Sequence, residues 1–284
     1  TGQRFDAHAI WRLAERGGAN SVSTVGDAMA RPLAAALAEG TATYDLSNVF
    51  SIGNGGAPLS AGVRRELKAV LPNVLILDSY GASETGAGGS RFDDGEGHSA
   101  PRFNVGPDTT VLDDDGRLCA PGVVGMLARR GNIPLGYYKD PAKSAQTFRI
   151  YEGQRWVVPG DFAVIEDDGS ISVLGRGSVS INSGGEKIYP EEVEAALKQH
   201  PAVFDAVVVG TTNERWGQQV TALVALREGT VATFDELVAH ARTLVADYKA
   251  PKAIEFVPTV VRTVVGKADY RWALDEANRR LGLA

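Results

Sequence analysis

An α/β layer, then a β-barrel-like subdomain, then a small α+β C-terminal domain: this is the architecture that the 284-residue sequence predicts. Three observations predict it. Helical and strand-like segments alternate over residues 1–100, which implies a parallel sheet. Short apolar runs separated by acidic and glycine turns fill residues 101–174, as in antiparallel hairpins. Beyond Arg176, helix and strand signals mix in a compact segment. The expected boundaries are therefore 1–100, 101–176 and 177–284.

In the first part, residues 5–16 read as a helix with Ile10, Leu13 and Ala14 on one face. Ser21-Val22-Ser23-Thr24-Val25 reads as a short strand and residues 28–37 as a helix. Asn48-Val49-Phe50-Ser51-Ile52 is a strand running into a loop, Gly53-Asn54-Gly55-Gly56. Ser60 is placed to cap a helix reaching Leu71. Asn73-Val74-Leu75-Ile76-Leu77 reads as a buried strand ending at Asp78-Ser79-Tyr80-Gly81. Ligands of such sheets gather beyond the carboxyl ends of the strands, and both glycine-rich loops fall there.

In the second part, Asp113-Asp114-Asp115-Gly116, Gly131-Asn132 and Asp167-Asp168-Gly169 mark the hairpin turns. Asp-Gly is a turn signal before it is a metal site. In the third part, Pro190 suits the first position of a helix, and Glu191 and Glu192 suit its first turn. Residues 205–210 and 219–226 read as strands. Thr233-Phe234-Asp235-Glu236 forms a capping box opening a helix to Ala246, and a last helix starts near Ala268 and carries Trp272, Leu274 and Leu281. No internal repeat interrupts the chain.

Composition narrows the function classes. Hydrophobic content of 44% and charged content of 23% are those of a globular protein. The net charge of −6 with mixed signs gives no basic face for nucleic acid, so an anionic substrate would need local cations. No apolar run approaches the ~20 residues of a membrane helix, and no signal-peptide pattern opens the chain. Thr1 in place of a methionine reads as a trimmed or partial product. Cys119 is the single cysteine, so no disulfide forms within the chain; this fits a reducing cytoplasm. It reads as a small buried apolar side chain rather than a nucleophile. His8, His98, His200 and His240 lack metal-ligand spacing.

Six segments carry candidate chemistry. Tyr80-Gly81-Ala82-Ser83-Glu84 presents an aromatic face, a hydroxyl and a carboxylate at a strand end. Gly55-Gly56-Ala57-Pro58-Leu59 lets a backbone approach a planar ring. Gly160-Asp161 supplies a carboxylate with lone pairs enough for two hydroxyls, and Gly175-Arg176 a guanidinium. Ser183-Gly184-Gly185-Glu186 precedes the Pro190 helix, where glycines suit passage of a thin ligand. Thr263-Val264-Val265-Gly266-Lys267 ends in a lone ammonium. Singly, these also read as a polar turn, a strand-to-helix turn, a surface ion pair, a plain connection and a solvated lysine.

Together, and in this order, they resemble the adenylate-forming enzymes: acyl-CoA synthetases, peptide-synthetase adenylation domains and firefly luciferase. The resemblance covers essentially the whole chain and implies a partial adenylate-forming fold. It implies that ATP, Mg2+ and CoA are used to activate a carboxylic acid to acyl-AMP and then to a thioester. Gly55, Gly56, Ala57 and Pro58 would lie along adenine, and Tyr80 would stack on it. Asp78, Gly81 and Ser83 would complete the nucleotide site, with Asp161 and Arg176 on the ribose. Glu84 would hold Mg2+. Lys267 would be the catalytic cation, answering charge at the α-phosphate. Ser183, Gly184, Gly185 and Glu186 would line the CoA channel. Gly131 to Pro141, with Pro134-Leu135-Gly136-Tyr137-Tyr138, matches the family as a structural segment without chemistry of its own.

The departures are informative. Val179 stands at the hinge position, three residues after Arg176, where Asp or Lys is usual. The run Gly175-Arg176-Gly177-Ser178-Val179, like Val25-Gly26-Asp27-Ala28, is similar to bacterial fatty-acyl and steroid-acid CoA ligases, which points to lipid metabolism. Val261 stands where proline is common. The family's phosphate loop ending in Pro-Lys-Gly does not occur in these residues. The resemblance therefore implies an incomplete portion, for which a missing N-terminal half or self-association would cover apolar surface. Two alternatives remain: a domain that loads a carrier protein, and a non-catalytic remnant that binds a nucleotide or a partner.

Overall fold

The computed structural model describes residues 5–92, 101–263 and 266–283; His98, Val264 and Val265 lie outside them. The chain divides into two compact units. The first comprises Thr1–Tyr80, Ser90–Gly97 and Arg262–Ala268, and the second comprises Gly81–Gly89, His98–Val261 and Asp269–Ala284.

The first unit is an α/β arrangement in which helices and a parallel sheet share one core. Helix α1 (Ala7–Gly17) starts at Asp6, whose carboxylate accepts from the Ala9 amide at 3.0 Å, and ends at left-handed Gly18. Then come β1 (Ser21–Thr24), α2 (Gly26–Ala38), β2 (Ser51–Gly55), α3 (Ala61–Val70) and β3 (Leu75–Ala82). The three strands are parallel, with Thr24 opposite Asn54 and Asn54 opposite Asp78. Trp11, Leu33, Ile52, Leu67 and Ile76 are fully buried in one core, each contributing about 1.5–3 kcal/mol by leaving water. The Trp11 indole meets its hydrogen-bonding need by donating to the Leu33 carbonyl at 3.0 Å.

Two expectations shift here. Strand β2 occupies Ser51–Gly55 rather than stopping at Ile52, so Gly53, Asn54 and Gly55 belong to the sheet. Strand β3 likewise continues through Asp78 and Tyr80 to Ala82, and it alternates in burial, with Leu75 51% exposed beside buried Ile76. Pairing with a neighbouring strand outweighs the weak strand preference of glycine and aspartate.

In the second unit, the turn Ser83-Glu84-Thr85 leads from β3 to β4 (Gly86–Phe92). Strands β5 (Arg102–Val105), β6 (Thr109–Leu112) and β7 (Val124–Arg129), helix α4 (Pro141–Thr147), and strands β8 (Phe148–Tyr151), β9 (Gln154–Val157), β10 (Asp161–Ile165) and β11 (Ile171–Arg176) follow. The pairs β5–β11, β11–β10, β10–β7, β7–β6, β7–β9 and β9–β8 are all antiparallel. Leu112, Met126, Ala128, Trp156 and Val158 form their core. The acidic turns bond to themselves: Asp113 accepts from the Asp115 and Arg117 amides, and Asp168 from the Ser170 amide.

The α+β portion comprises β12 (Ile181–Ser183), β13 (Glu186–Ile188), α5 (Pro190–Lys198), β14 (Val203–Asn213), β15 (Gly217–Leu226), α6 (Phe234–Arg242), β16 (Ala253–Phe256) and α7 (Tyr270–Leu281). Ile181, Ile188, Val193, Leu197, Val208, Val220 and Leu237 fill its core. The capping box forms: the Glu236 amide donates to Thr233 Oγ1 at 3.2 Å, and the Thr233 amide donates to Glu236 at 2.8 Å. Helix α6 ends at Arg242, short of Ala246, where the Thr243 and Leu244 amides tighten onto the i−3 carbonyls of His240 and Ala241.

Candidate active site

At the carboxyl ends of β1, β2 and β3, one side chain organises the first unit's loop. Asn54 is 5% exposed. Its Oδ1 accepts from the Gly26 amide at 2.8 Å and from Thr24 Oγ1 at 3.3 Å. Its Nδ2 donates to the Ala57 carbonyl at 3.1 Å and to Asp78 Oδ1 at 3.0 Å. Arg64 pairs with Asp78 Oδ2 and donates through Nε to the Leu59 carbonyl at 3.2 Å. Gly26 has φ +57, and a Cβ there would lie 2.7 Å from the Pro58 carbonyl oxygen; only glycine admits this approach.

Lys267 belongs to the same unit. Its amide donates to Thr263 Oγ1 at 3.1 Å, and the Thr263 amide donates to the Lys267 carbonyl at 2.8 Å, closing a tight turn. Gly266 (φ +82) rests on Ala28 and Val25, and the Lys267 stem passes about 4.0 Å from where a Gly56 Cβ would stand. The Lys267 side chain is exposed. Lys267, Gly55, Gly56, Ala57, Pro58 and Asp78 therefore gather in the first unit, with Tyr80 two residues further along β3.

In the second unit, Glu84 sits in a braced turn. Buried Thr85 accepts the Ala82 amide on Oγ1 at 3.0 Å, and Arg129 Nη1 donates to the Thr85 carbonyl at 2.9 Å and to the Ala87 carbonyl. Gly81 approaches the Gly86 carbonyl too closely for any Cβ. Ser83 is exposed beside Glu84. Tyr137 Oη donates to Glu84 Oε1 at 2.5 Å. That bond holds the Glu84 carboxyl below the usual carboxylate range, with the charges of Arg176 and Lys143 adding to it against the effect of burial. Burial first, then Glu84, push the Tyr137 phenol up, so it stays protonated and donating. Lys143 Nζ lies 4.2 Å from the Tyr137 ring centroid. Magnesium is commonly held by one or two carboxylates together with substrate phosphates and water; an anionic, oriented Glu84 fits that donor set.

Asp161 and Arg176 stand directly opposite each other on β10 and β11, with Nε to Oδ1 at 3.3 Å. Asp161 is buried and Arg176 is exposed. A bulge between Phe162 and Ala163 re-aims this end of the pair. Gly175 (φ +137) carries the Glu191 carboxyl on its Cα face. Ser183 and Glu186 pair across a two-residue turn made by Gly184 (φ +62) and Gly185 (φ +91), so the expected loop is a hairpin. The Gly184 amide donates to the Trp216 carbonyl at 2.9 Å, with the indole packed against its Cα. Lys187 Nζ lies 3.6 Å from the Phe162 ring centroid, tying this hairpin to β10.

Sequence reasoning missed Asn54, Arg64, Arg129, Tyr137, Glu191 and Trp216. Tyr137 had a signal, since it lies in a segment noted for its resemblance but assigned no chemistry. The others depend on strand register or helix docking.

Comparison with known proteins identifies the family. The AMP-binding enzyme family matches residues 1–138, and the AMP-binding enzyme C-terminal domain matches residues 192–267. The 3-oxocholest-4-en-26-oate–CoA ligase of Rhodococcus rhodochrous is 50% identical over 97% of this chain and 51% of its own length. A medium/long-chain-fatty-acid–CoA/3-oxocholest-4-en-26-oate–CoA ligase of Mycobacterium tuberculosis (strain CDC 1551 / Oshkosh) is 49% identical, again over 97% of the chain and 51% of its own length. The amide bond synthetase McbA from Marinactinospora thermotolerans superposes with a TM-score of 0.83 at 26% identity, covering 96% of this chain and 55% of that one. The chain thus spans about half the length of the curated relatives it matches. Motifs, fold and relatives coincide, and the chain belongs to the AMP-binding, adenylate-forming enzymes.

Proposed function

We propose that this chain is the later portion of an ATP-dependent acyl-CoA synthetase acting on a fatty or steroid-derived acid. The observation that carries the reading is the Asp161–Arg176 pair, an acid and a base fixed opposite each other on adjacent strands. The Asp161 carboxylate accepts from the two ribose hydroxyls, and Arg176 reaches the same sugar. Gly55, Gly56, Ala57 and Pro58 run along adenine, Tyr80 stacks on it, and Asp78, Gly81 and Ser83 complete the nucleotide contacts. Glu84 would hold Mg2+, which when bound neutralises phosphate charge. In the first half-reaction the substrate carboxylate oxygen attacks the α-phosphorus, the α–β phosphoanhydride bond breaks, and pyrophosphate leaves. Lys267 answers the charge that grows at the α-phosphate. In the second, the CoA thiol, losing its proton, displaces AMP from the acyl carbon.

In this reading residues 1–100 belong to a large domain, 101–176 to a β subdomain and 177–284 to a mobile domain. The last of these turns about the residues after Arg176, where Gly177–Val179 forms a single 3-10 turn. That rotation exchanges Lys267 for the Ser183–Glu186 hairpin, a two-state movement at few residues. The reading places the protein in the cytoplasm, supported by the lone Cys119 and by the use of CoA. Among the described residues no helix is long and apolar enough to cross a membrane.

The test is AMP release and acyl-CoA formation by the full-length protein, offered short, long and steroid-derived acids with free CoA or a carrier protein as acceptor. Thioester formation with CoA on a fatty or steroid acid is expected. Loading of the carrier protein alone would replace the reading with that of an adenylating domain. The 284 residues by themselves, which contain no Pro-Lys-Gly loop, are expected to catalyse ATP–pyrophosphate exchange poorly.

A further inference from the structure

Asn54 lies between three segments that the nucleotide reading assigns to one task, yet it contacts the proposed ligand in no part of that reading. Its orientation is fixed by chemistry. The Gly26 amide can only donate and the Ala57 carbonyl can only accept, so Oδ1 faces Gly26 and Nδ2 faces Ala57. The second Nδ2 proton goes to Asp78 Oδ1, and the single Thr24 Oγ1 proton is shared between Asn54 Oδ1 at 3.3 Å and the Gly53 carbonyl at 3.2 Å. Thr24, Asn54 and Asp78 occupy one lateral row across β1, β2 and β3. One buried amide thus ties the start of α2, the Gly55–Pro58 loop and the Asp78 carboxylate together.

We propose that Asn54 is the positioning residue for purine recognition: it fixes the height of the Gly55-Gly56-Ala57-Pro58 backbone and the rotation of the Asp78 carboxylate, so that together they select an adenine base. This rests on the nucleotide reading above. A carboxylate accepts from the exocyclic amino group of adenine, whereas guanine offers a carbonyl oxygen at the equivalent edge and is repelled. Asp78 can read that edge only if its rotation is set. Arg64 holds one oxygen and Asn54 the other, so removal of either lets the carboxylate turn.

The experiment uses the 284-residue chain and two variants. Asn54→Asp keeps size and the Gly26 acceptor, but turns the two donors into an oxygen facing the Ala57 carbonyl and the Asp78 carboxylate. Asn54→Ser is smaller and leaves the Gly26 amide without its acceptor. Binding of AMP and GMP is read by ligand-observed NMR, and folding by amide hydrogen exchange. The unsubstituted chain is expected to prefer AMP. Asn54→Asp is expected to weaken AMP about tenfold, the worth of one or two hydrogen bonds, and to erase the preference over GMP. Equal AMP affinity and preference in the variants would overturn the inference. If the unsubstituted chain bound neither nucleotide, the nucleotide reading itself would fall. The positioning role is decided separately by exchange. Faster exchange at Gly26 in Asn54→Ser, with α1 and the second unit still protected, supports it; unchanged exchange at Gly26 overturns it.

Discussion

Replacing Glu191 with glutamine would remove an acid that the fold holds protonated near neutrality. The side chain leaves the first turn of α5 and lies on Gly175, where a Cβ would be 2.2 Å from Oε2. Oε2 is buried without a hydrogen-bond partner among the described residues. Burial first, then the Glu194 charge on the same helix, with Asp161 on β10 adding to them, push this carboxyl from 4.5 to about 7; its own amide and that of Arg176 lean the other way. At about 1.4 kcal/mol per pH unit, that gap corresponds to roughly 3 kcal/mol. In acid, below the unfolded value, Glu191 is neutral in both folded and unfolded chains, and the full stability is present. As pH rises toward 7 the unfolded chain ionises while the folded one does not. The folded state then binds more protons, so stability falls across this window and levels off above about 7. Glutamine cannot ionise. Glu191→Gln is therefore expected to match the parent in acid and to exceed it by about 2–3 kcal/mol at pH 8. Urea unfolding from pH 4 to 8.5, read by hydrogen exchange in α5, measures the difference. Curves for the two proteins that stay parallel across this range would refute the reasoning.

Tyr137→Phe deletes the 2.5 Å hydrogen bond to Glu84. A charge-assisted bond of this kind is worth about 1.5–3 kcal/mol, so the Glu84 carboxyl should rise toward its ordinary value, which an NMR titration of the carboxyl carbon reads; an unmoved carboxyl would contradict the bond. Lys267→Ala in the full-length protein should lower adenylate formation by roughly 100- to 1,000-fold while sparing thioester formation from supplied acyl-AMP; equal losses in both steps would remove Lys267 from its proposed role. Gly184→Ala forces φ +62 on a residue with a Cβ and pushes that Cβ to 2.8 Å from the Trp216 indole. It should cost about 1–2 kcal/mol or more, seen as a lower Tm for the second unit, and an unchanged Tm would contradict the close packing.

Much of the chain's architecture is legible from local chemistry, and the failures share one cause. Ser60 and the Thr233–Glu236 box announce their helices because capping is decided within four residues. Helix α2 also follows its apolar pattern, although Pro32 stands inside it. By contrast, Gly53, Asn54 and Gly55 look like a loop and form a strand, because β1 and β3 on either side supply hydrogen bonds that local propensity does not reveal. The Gly184-Gly185 segment looks like an open loop and is the turn of a two-stranded hairpin, since Ser183 and Glu186 find each other across it. Helix α6 stops early where the Thr243 and Leu244 amides tighten onto i−3 carbonyls.

The same distinction explains the site. Residue types can be read from the sequence, which is why Asp161, Arg176, Asp78 and Glu84 stand out there as candidates. Their neighbours are set by register, which a one-residue slip would change completely. Tyr137 reaches Glu84 from 53 positions away and Asn54 reaches Asp78 from 24, and in neither case does the linear spacing carry the relation. The consequence is a hierarchy of sensitivity. On the proposed nucleotide reading, substitutions at the motif residues remove a contact to substrate, whereas those at Asn54 or Tyr137 leave every motif intact and move Asp78 or Glu84. Such variants should separate nucleotide affinity from turnover in ways that replacing a motif residue cannot, because the chemistry is still present and only its placement has changed.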